Sequence, residues 1–353
     1  MTDAKEWAEQ PSDNAPEPDD VRLLKRRIGQ LERQLSGYKA QTSLVVDALS
    51  EIFAEPPALK LPPRVRRGSA KKREEVAVLH VSDTQIGKVT ATYDTATAAD
   101  RLMKLAETTL RATEDRRQSA KIDRCCVFLG GDLVEGETIF GHQIWEIESN
   151  VLQQAVRDTP EMIARMIMRL AEGFHTVEVY GVPGNHGRSA PRNSGASPKT
   201  NWDVVAMEVT RLMLQNAAAK GRIEWRTTDS WYQIVDVLGW SNMLIHGDRG
   251  VRGFNGFPWY GVGRASGRWS QILRDWESAD GRWRRYLWMG HFHTYAGPVV
   301  FNNVVMLANG TTESDNEYAA ADLSAAGEPC QRLAFFDEEH GLVADHQVFL
   351  EVK

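Results

Sequence analysis

Side chains able to hold a metal ion or move a proton recur in this chain at one kind of place, just past an apolar run and beside glycine. "VAVLHVSDTQIG" (76–87) ends its run at Val81 and then offers Asp83 and Gln85. "CCVFLGGDLVEG" (125–136) offers Asp132, and "VEVYGVPGNHGR" (177–188) offers Asn185 and His186. "NMLIHGD" (242–248) offers His246, and "YLWMGHFHT" (286–294) offers His291 and His293. The apolar runs have the length and β-branched or aromatic content of buried strands. In open α/β sheets ligands bind in the crevice outside the carboxyl ends of strands, and glycine there permits tight turns and close backbone approach. Carboxylate, carboxamide and imidazole together suit Mn, Fe, Zn or Mg. The set exceeds what one catalytic ion takes from protein, so a two-metal site bridged by Asp132 fits better. Such ions, roughly 3.5–4 Å apart, clamp the attacking and leaving oxygens of an in-line phosphoryl displacement. Taken singly, each stretch is an ordinary turn; the weight lies in all of them occurring in order.

The elements that must position these residues follow from the pattern along the chain. Residues 1–20 are acidic and proline-bearing and read as a disordered tail. From Val21 to Ile52 apolar residues recur at alternating spacings of three and four (Val21, Leu24, Ile28, Leu31, Leu35, Tyr38, Thr42, Val45, Leu49, Ile52). That seam predicts a coiled-coil helix over 21–54, capped by Asp20 and able to form a homodimer through 21–52. A Pro-rich and then basic linker covers 55–75. Beyond it, helices are expected near 95–118, 150–172 and 201–217, alternating with strands at 125–129 and 176–182. Strands then come close together: "RIEWR", "WYQIVDV", "NMLIHG", "YLWMG", "VVFNNVVML", "RLAFF" and "VADHQVFLEV". Alternation followed by a β-rich half predicts one α/β domain with two sheets over 76–353.

The ordered motifs resemble those of the calcineurin-like metallophosphoesterases, whose pattern is D-x-H, G-D, G-N-H-D/E, H and G-H-x-H. The resemblance covers roughly 76–310 and is most specific at "GGD", "GNH" and "GHFH". It implies a four-layer α/β/β/α sandwich with two divalent ions at the strand tips. One ion would be held by Asp83, Asp132 and His293, the other by Asp132, Asn185, His246 and His291, with His186 as general acid. The chain departs from the pattern twice: Gln85 stands where the family has histidine, and Gly187 where it has an acid. Gln85 either coordinates through its amide oxygen, which suits Mn²⁺ or Mg²⁺ better than Zn²⁺, or orients a water from behind; a third reading is a site working with a single tightly held metal. The lost acid leaves His186 without its usual orienting partner. SbcD-type nucleases and phage-encoded members are the nearest in character, the latter through "NGTTESDNEYA" (309–319).

Composition narrows the remaining choices. Over 353 residues, 42% hydrophobic and 25% charged content are those of a soluble globular protein. Cys125, Cys126 and Cys330 give no disulfide framework, and no signal peptide or apolar span is present, so a cytoplasmic protein off the membrane is expected. The net charge of −6 argues against a general nucleic-acid coat. Local basic tracks remain: "RVRRGSAKKR" (64–73), the loop 187–199, and 249–285, where eight arginines interleave with aromatic residues. Arginines tracking phosphates beside aromatic faces that stack on bases form the usual single-strand-binding combination. Arg188, Arg249, Arg252 and Trp259 are accordingly the candidate substrate contacts. The reading is a Mn²⁺-dependent phosphodiesterase acting on single- or double-stranded DNA. The alternatives are a phosphomonoesterase or small-nucleotide phosphodiesterase, and a DNA-binding scaffold with a weakened metal site.

Overall fold

The structure, a computed structural model, describes residues 25–33, 36, 72–141, 143–190, 197–218, 220–251, 257–273, 276, 284–301, 303–315 and 328–351. The chain divides into two units, Met1–Ser50 and Glu51–Lys353. In the first unit residues 25–33 and 36 are helical, with Ile28 and Leu31 of the apolar seam 54% and 49% exposed. The rest of the proposed coiled coil, the acidic tail and residues 55–71 of the linker lie outside the described residues.

The second unit carries two sheets. β1 (Arg73–Val81), β2 (Ala120–Leu129), β3 (Thr176–Gly181) and β4 (Ile223–Trp225) run parallel. β10 (Cys330–Asp337) pairs antiparallel with β1, and β11 (Gly341–Phe349) with β10, giving the order β11-β10-β1-β2-β3-β4. The second sheet has the order β5-β6-β7-β9-β8, from β5 (Tyr232–Val237), β6 (Trp240–Ile245), β7 (Arg285–Met289), β8 (Ala296–Phe301) and β9 (Val304–Ala308).

Side-chain alternation assigns the layers. On β1, Ala77, Leu79 and Val81 face one way, into a core shared with α1 (Thr95–Arg116), α2 (Thr159–Gly173) and α3 (Trp202–Met213). Val76 and Val78 face the other way, into a second core between the sheets with Phe128, Tyr286, Trp288 and Phe336. Edge-to-face contacts such as Phe128–Trp288 (5.3 Å) and Tyr286–Phe336 (4.8 Å) lock that interface, each contributing about 0.5–1.5 kcal/mol beyond burial. A third core lies on the outer face of the second sheet, under α4 (Trp259–Ile272) and Trp276. The order is therefore helices, sheet, sheet, helix: the α/β/β/α sandwich that the motif resemblance implied.

The differences from the sequence reading are local and have physical reasons. α4 was not expected, because Gly261, Gly263 and Gly267 lower helix propensity; burial of Val262, Ala265 and Trp269 overrides that cost. "VVFNNVVML" is a hairpin of β8 and β9 rather than one strand, reversing where Asn303 adopts φ 68°. α2 is preceded by a π-helical turn, Gln154–Asp158, which no periodicity announces.

His80 continues the inter-sheet face of β1. It is fully buried, edge-on to Trp288 at 5.7 Å, and neither ring nitrogen has a hydrogen-bond partner. Burial, helped by the nearby charges of Arg332 and His246, pushes its pKa down to about 3. An unfolded histidine titrates near 6.5, so between these values the unfolded chain binds the extra proton. Stability linked to His80 is therefore full above pH 6.5 and falls with acidification, by up to about 1.4 kcal/mol per pH unit. A His80→Leu variant should lose that slope, and denaturant unfolding of both proteins between pH 6.5 and 5 measures the difference.

Candidate functional site

The tips of β1, β2 and β3 from one sheet meet those of β6 and β7 from the other, and every expected metal-site residue sits just past one of them. Asp83 and Gln85 follow β1, Asp132 follows β2, Asn185 and His186 follow β3, His246 follows β6, and His291 and His293 follow β7. Several are held in the left-handed region that side chains avoid: Asp83 (φ 53°), Gln85 (41°), Asp132 (50°), His291 (70°) and His293 (50°). Such strain clusters at sites where function demands a particular aim. The glycines admit close approach. A Cβ on Gly131 would stand 2.5 Å from the backbone nitrogen of Gly184, and one on Gly290 would strike the Asp83 carboxylate.

Hydrogen bonding fixes where each histidine points. His246 is buried and has Nδ1 2.9 Å from the Gly130 carbonyl, so Nδ1 carries the proton and donates it. Its Nε2 then faces Asp132 Oδ2 and Asn185 Oδ1, each at 3.0 Å. His293 Nδ1 lies 2.7 Å from Glu313, which leaves Nε2 facing Asp83 Oδ1 at 3.4 Å. His186 Nδ1 lies 3.1 Å from Glu135 Oε2, with Nε2 turned toward Asp132 at 3.9 Å. His291 joins Asp132 and His246 in a group whose donor atoms all lie within 4.8 Å of one another and could hold a metal ion. Asp83 Oδ2 is buried without a hydrogen-bond partner. An orphaned carboxylate oxygen amid imidazole nitrogens and a carboxamide oxygen is a donor set that fits a divalent ion.

Gln85 belongs to the same cluster. One end of its amide lies 3.1 and 2.7 Å from the two oxygens of Glu313, so that end is the nitrogen. The oxygen therefore faces inward, 3.3 Å from His186 Nε2 and 3.4 Å from His293 Nε2. Lys88, also buried, stands 3.3 Å from Glu313 and 4.0 Å from Glu135.

Three residues that hold the cluster were not among the expected site residues, although Glu313 lies within the quoted stretch 309–319. Glu135 holds the Nδ1 side of His186, the job that Gly187 cannot do. Glu313 does the same for His293 and arrives on a segment fastened by Thr311 and Thr312, whose hydroxyls donate to the carbonyls of Asp83 (2.8 Å) and Thr84 (3.2 Å). Asp203, in the first turn of α3, accepts backbone N–H bonds from Asp132 (2.9 Å), Leu133 (3.0 Å), Val134 (3.1 Å) and Gly184 (2.8 Å). It thereby joins the "GGD" and "GNH" turns.

The expected substrate contacts are placed differently. Arg188 is 8% exposed and donates to Asp248, so its guanidinium is already engaged. Arg249 is part-exposed, 3.9 Å from the same carboxylate. Arg252 lies outside the described residues. Trp259 stacks on Phe257 at 4.2 Å and packs with it against the outer core, where Trp269 and Trp276 are buried. Among the described aromatic residues of 249–285, Tyr260 alone is mostly exposed, at 77%. Among the described residues, Phe257, Trp259, Trp269 and Trp276 of this segment pack in or against the core that covers the outer face of the second sheet.

No family model matches the chain, and no curated protein matches it. Similar solved structures include a single-mutant Vps29 from Entamoeba histolytica (12% identity, TM-score 0.31, covering 78% of this chain and 99% of that one). They also include the 5′-nucleotidase of Candida albicans SC5314 (9% identity, TM-score 0.34, covering 83% and 54%). A third is the sulfate thiohydrolase SoxB of Thermus thermophilus in complex with glycerol (10% identity, TM-score 0.29, covering 82% and 57%). The chain thus spans just over half the length of the latter two, and likenesses this loose say nothing about reaction or substrate. No helix among the described residues is long and apolar enough to cross a membrane.

The electrostatics of the cluster favour added positive charge. Against the opposing effect of burial, Asp132 raises the pKa of His246 to about 10, and Glu313 with Asp83 raises that of His293 to about 10. Burial and the charge of His246 push His291 down to about 4. Without metal, His246 and His293 therefore carry protons at pH 7. Ligation requires the neutral ring, so metal binding should release protons and strengthen as pH rises. Titration calorimetry at pH 7 in buffers of different ionisation enthalpy would count them. A second expectation concerns Asp203→Ala, which strands four buried N–H donors. It should lower stability by about 3 kcal/mol or more and weaken metal binding about 10–100-fold, read by denaturation and by metal titration.

Proposed function

We propose that this protein is a metal-dependent phosphoesterase, and more narrowly a phosphodiesterase acting on DNA with Mn²⁺. The observation that supports the chemistry is the common aim of the histidines. His246 and His293 each have Nδ1 held from outside and Nε2 turned onto the buried carboxylates Asp132 and Asp83. Asp83, Asp132, His293 and the oxygen of Gln85 would hold one ion. Asp132, Asn185, His246 and His291 would hold the other. Bound there, such ions supply Lewis-acid charge and water of lowered pKa. A carboxamide oxygen in the first set favours a hard ion such as Mn²⁺ over Zn²⁺.

The chain's own contribution to bond breaking rests on His186. Its side chain is 15% exposed and so open to a ligand on one edge. Burial opposes its charge, but Glu135 and Asp132 raise its pKa to about 8. At neutral pH it holds a proton on Nε2, the form that can protonate a departing alkoxide. Asp132 also accepts the backbone N–H of His186 at 2.7 Å, which ties the acid's backbone to the carboxylate.

Metal-stripped protein should hydrolyse bis(p-nitrophenyl) phosphate and single-stranded DNA when Mn²⁺ is restored, and neither in chelator. His186→Asn should lower kcat by about 10²–10⁴-fold, and Asp132→Asn should abolish turnover. Hydrolysis of p-nitrophenyl phosphate alone would turn the assignment to a phosphomonoesterase. No hydrolysis of any phosphoester with Mn²⁺, Mg²⁺, Fe²⁺ or Zn²⁺ would sink the enzymatic reading.

A further inference from the structure

Trp269 and Trp276 of the expected stacking segment are buried in a core, and another surface beside His186 has the character such stacking needs. Phe140 packs its ring against His186, with centroids 4.8 Å apart and planes tilted by 50°, while remaining 40% exposed. The same loop exposes Ile144 (53%) and Trp145 (88%), and the adjoining Val89 is 40% exposed. Val89 belongs with them because its N–H donates to the Glu146 carbonyl at 2.8 Å, and Glu148 returns a bond to Gly87 at 2.9 Å. Four of the large exposed apolar side chains among the described residues are therefore gathered on one lip of the site. A tryptophan left almost wholly in water is unusual for a residue with so much area to bury, and grouped apolar exposure marks a binding surface.

The lip is built, not loose. Gln143 is 2% exposed, and its side-chain oxygen accepts the N–H groups of Ile139 (2.9 Å) and Phe140 (3.2 Å). Its amide nitrogen donates to the Glu135 carbonyl, on the residue that holds His186. Gln154, brought inward by the π-turn, accepts from Gly136 N at 2.9 Å and donates to Ser149 O at 2.7 Å, tying both ends of the loop. The ring of Phe140 is thus set relative to His186 by the chain itself.

We infer that this lip is a stacking subsite for unpaired DNA bases on the leaving-group side of the scissile phosphate. His186 marks that side, since it serves the leaving oxygen; Phe140 offers a ring face against it, and Trp145, on the same loop, offers a second, exposed one. Stacking of this kind needs no base-specific hydrogen bonds, tolerates any sequence, and requires the base to be out of a duplex. The inference rests on the phosphodiesterase reading for its orientation but can be judged without catalysis.

The test is binding in chelator, where no turnover occurs. Anisotropy of a labelled single-stranded oligothymidylate is compared with that of an oligomer of equal length carrying abasic tetrahydrofuran residues. The full-length protein should prefer the base-bearing strand by about five- to a hundredfold. Phe140→Ala and Trp145→Ala should each reduce that ratio, and the double variant should bring it below about twofold, whereas Phe140→Trp should keep it. Equal binding of the two oligomers by the native protein would overturn the subsite. So would a preference that survives the double variant, or tighter binding of duplex than of single strand. Failure to cleave with any metal would remove the catalytic reading while leaving this ratio to decide the subsite.

Discussion

One buried carboxylate sets the geometry on which the site depends. Asp203 gathers four backbone N–H groups from two turns that follow different strands, and so brings the "GGD" turn after β2 against the "GNH" turn after β3. Charge-assisted bonds of this kind contribute about 1.5–3 kcal/mol each when well made. They also hold the backbone of Asp132 in a left-handed conformation that it would not choose alone. Asn201 completes the clamp by donating to the Gly184 carbonyl at 2.8 Å while capping the nitrogen of Asp203. The glycines at 131 and 184 follow from this clamp, because no side chain fits where the two backbones touch.

The clamp fixes half of the site; the inter-sheet core fixes the other half. Asp83, Asp132 and Asn185 ride on one sheet, His246, His291 and His293 on the other. Their separation is set by the aromatic packing of Phe128, Tyr286, Trp288 and Phe336 between the sheets. Cross-links at the tips refine it: His246 Nδ1 donates to Gly130 O, and the N–H of His291 donates to Asp83 Oδ1 at 2.9 Å. Backbone strain at Asp83, Gln85, Asp132, His291 and His293 is sustained because it is anchored on two rigid sheets. A site on mobile loops would relax it.

These features explain what the residue order reveals and what it hides. The strand-end donors were legible because a buried strand announces itself by composition, and a polar residue after it can be seen. β1, β2, β3, β6 and β7 were all recognisable in that way. The roles of Glu135, Asp203 and Glu313 were not, because each is defined by a partner distant in sequence, even where, as for Glu313, the surrounding stretch stood out. The burial of Trp269 and Trp276 was hidden for a related reason. An aromatic residue looks the same in sequence whether it covers a sheet, as Trp269 and Trp276 do, or stands in water, as Trp145 does. Only the demand of the second sheet for an outer cover separates the two, and that demand is tertiary. Gln143 and Gln154 likewise read as unremarkable polar residues of a loop and a helix until their amides are seen closing the lip.

Charge balance supplies the last link between the fold and its chemistry. Asp83, Asp132, Glu135, Glu313 and Asp203 are all buried within or against one cluster. Lys88 answers part of that charge, from between Glu135 and Glu313. The histidines answer more by taking up protons, which is why His246 and His293 titrate high and why Asp132 stays ionised well below the usual carboxylate range despite its burial. Asp203, close to Asp132 and offered N–H groups rather than a cation, is pushed the other way, to about 6, by burial and by Asp132. Protons at Nε2 occupy the positions where a divalent cation would serve the same carboxylates better. A fold that confines this much negative charge beside imidazoles balances it with protons at the positions a cation would take.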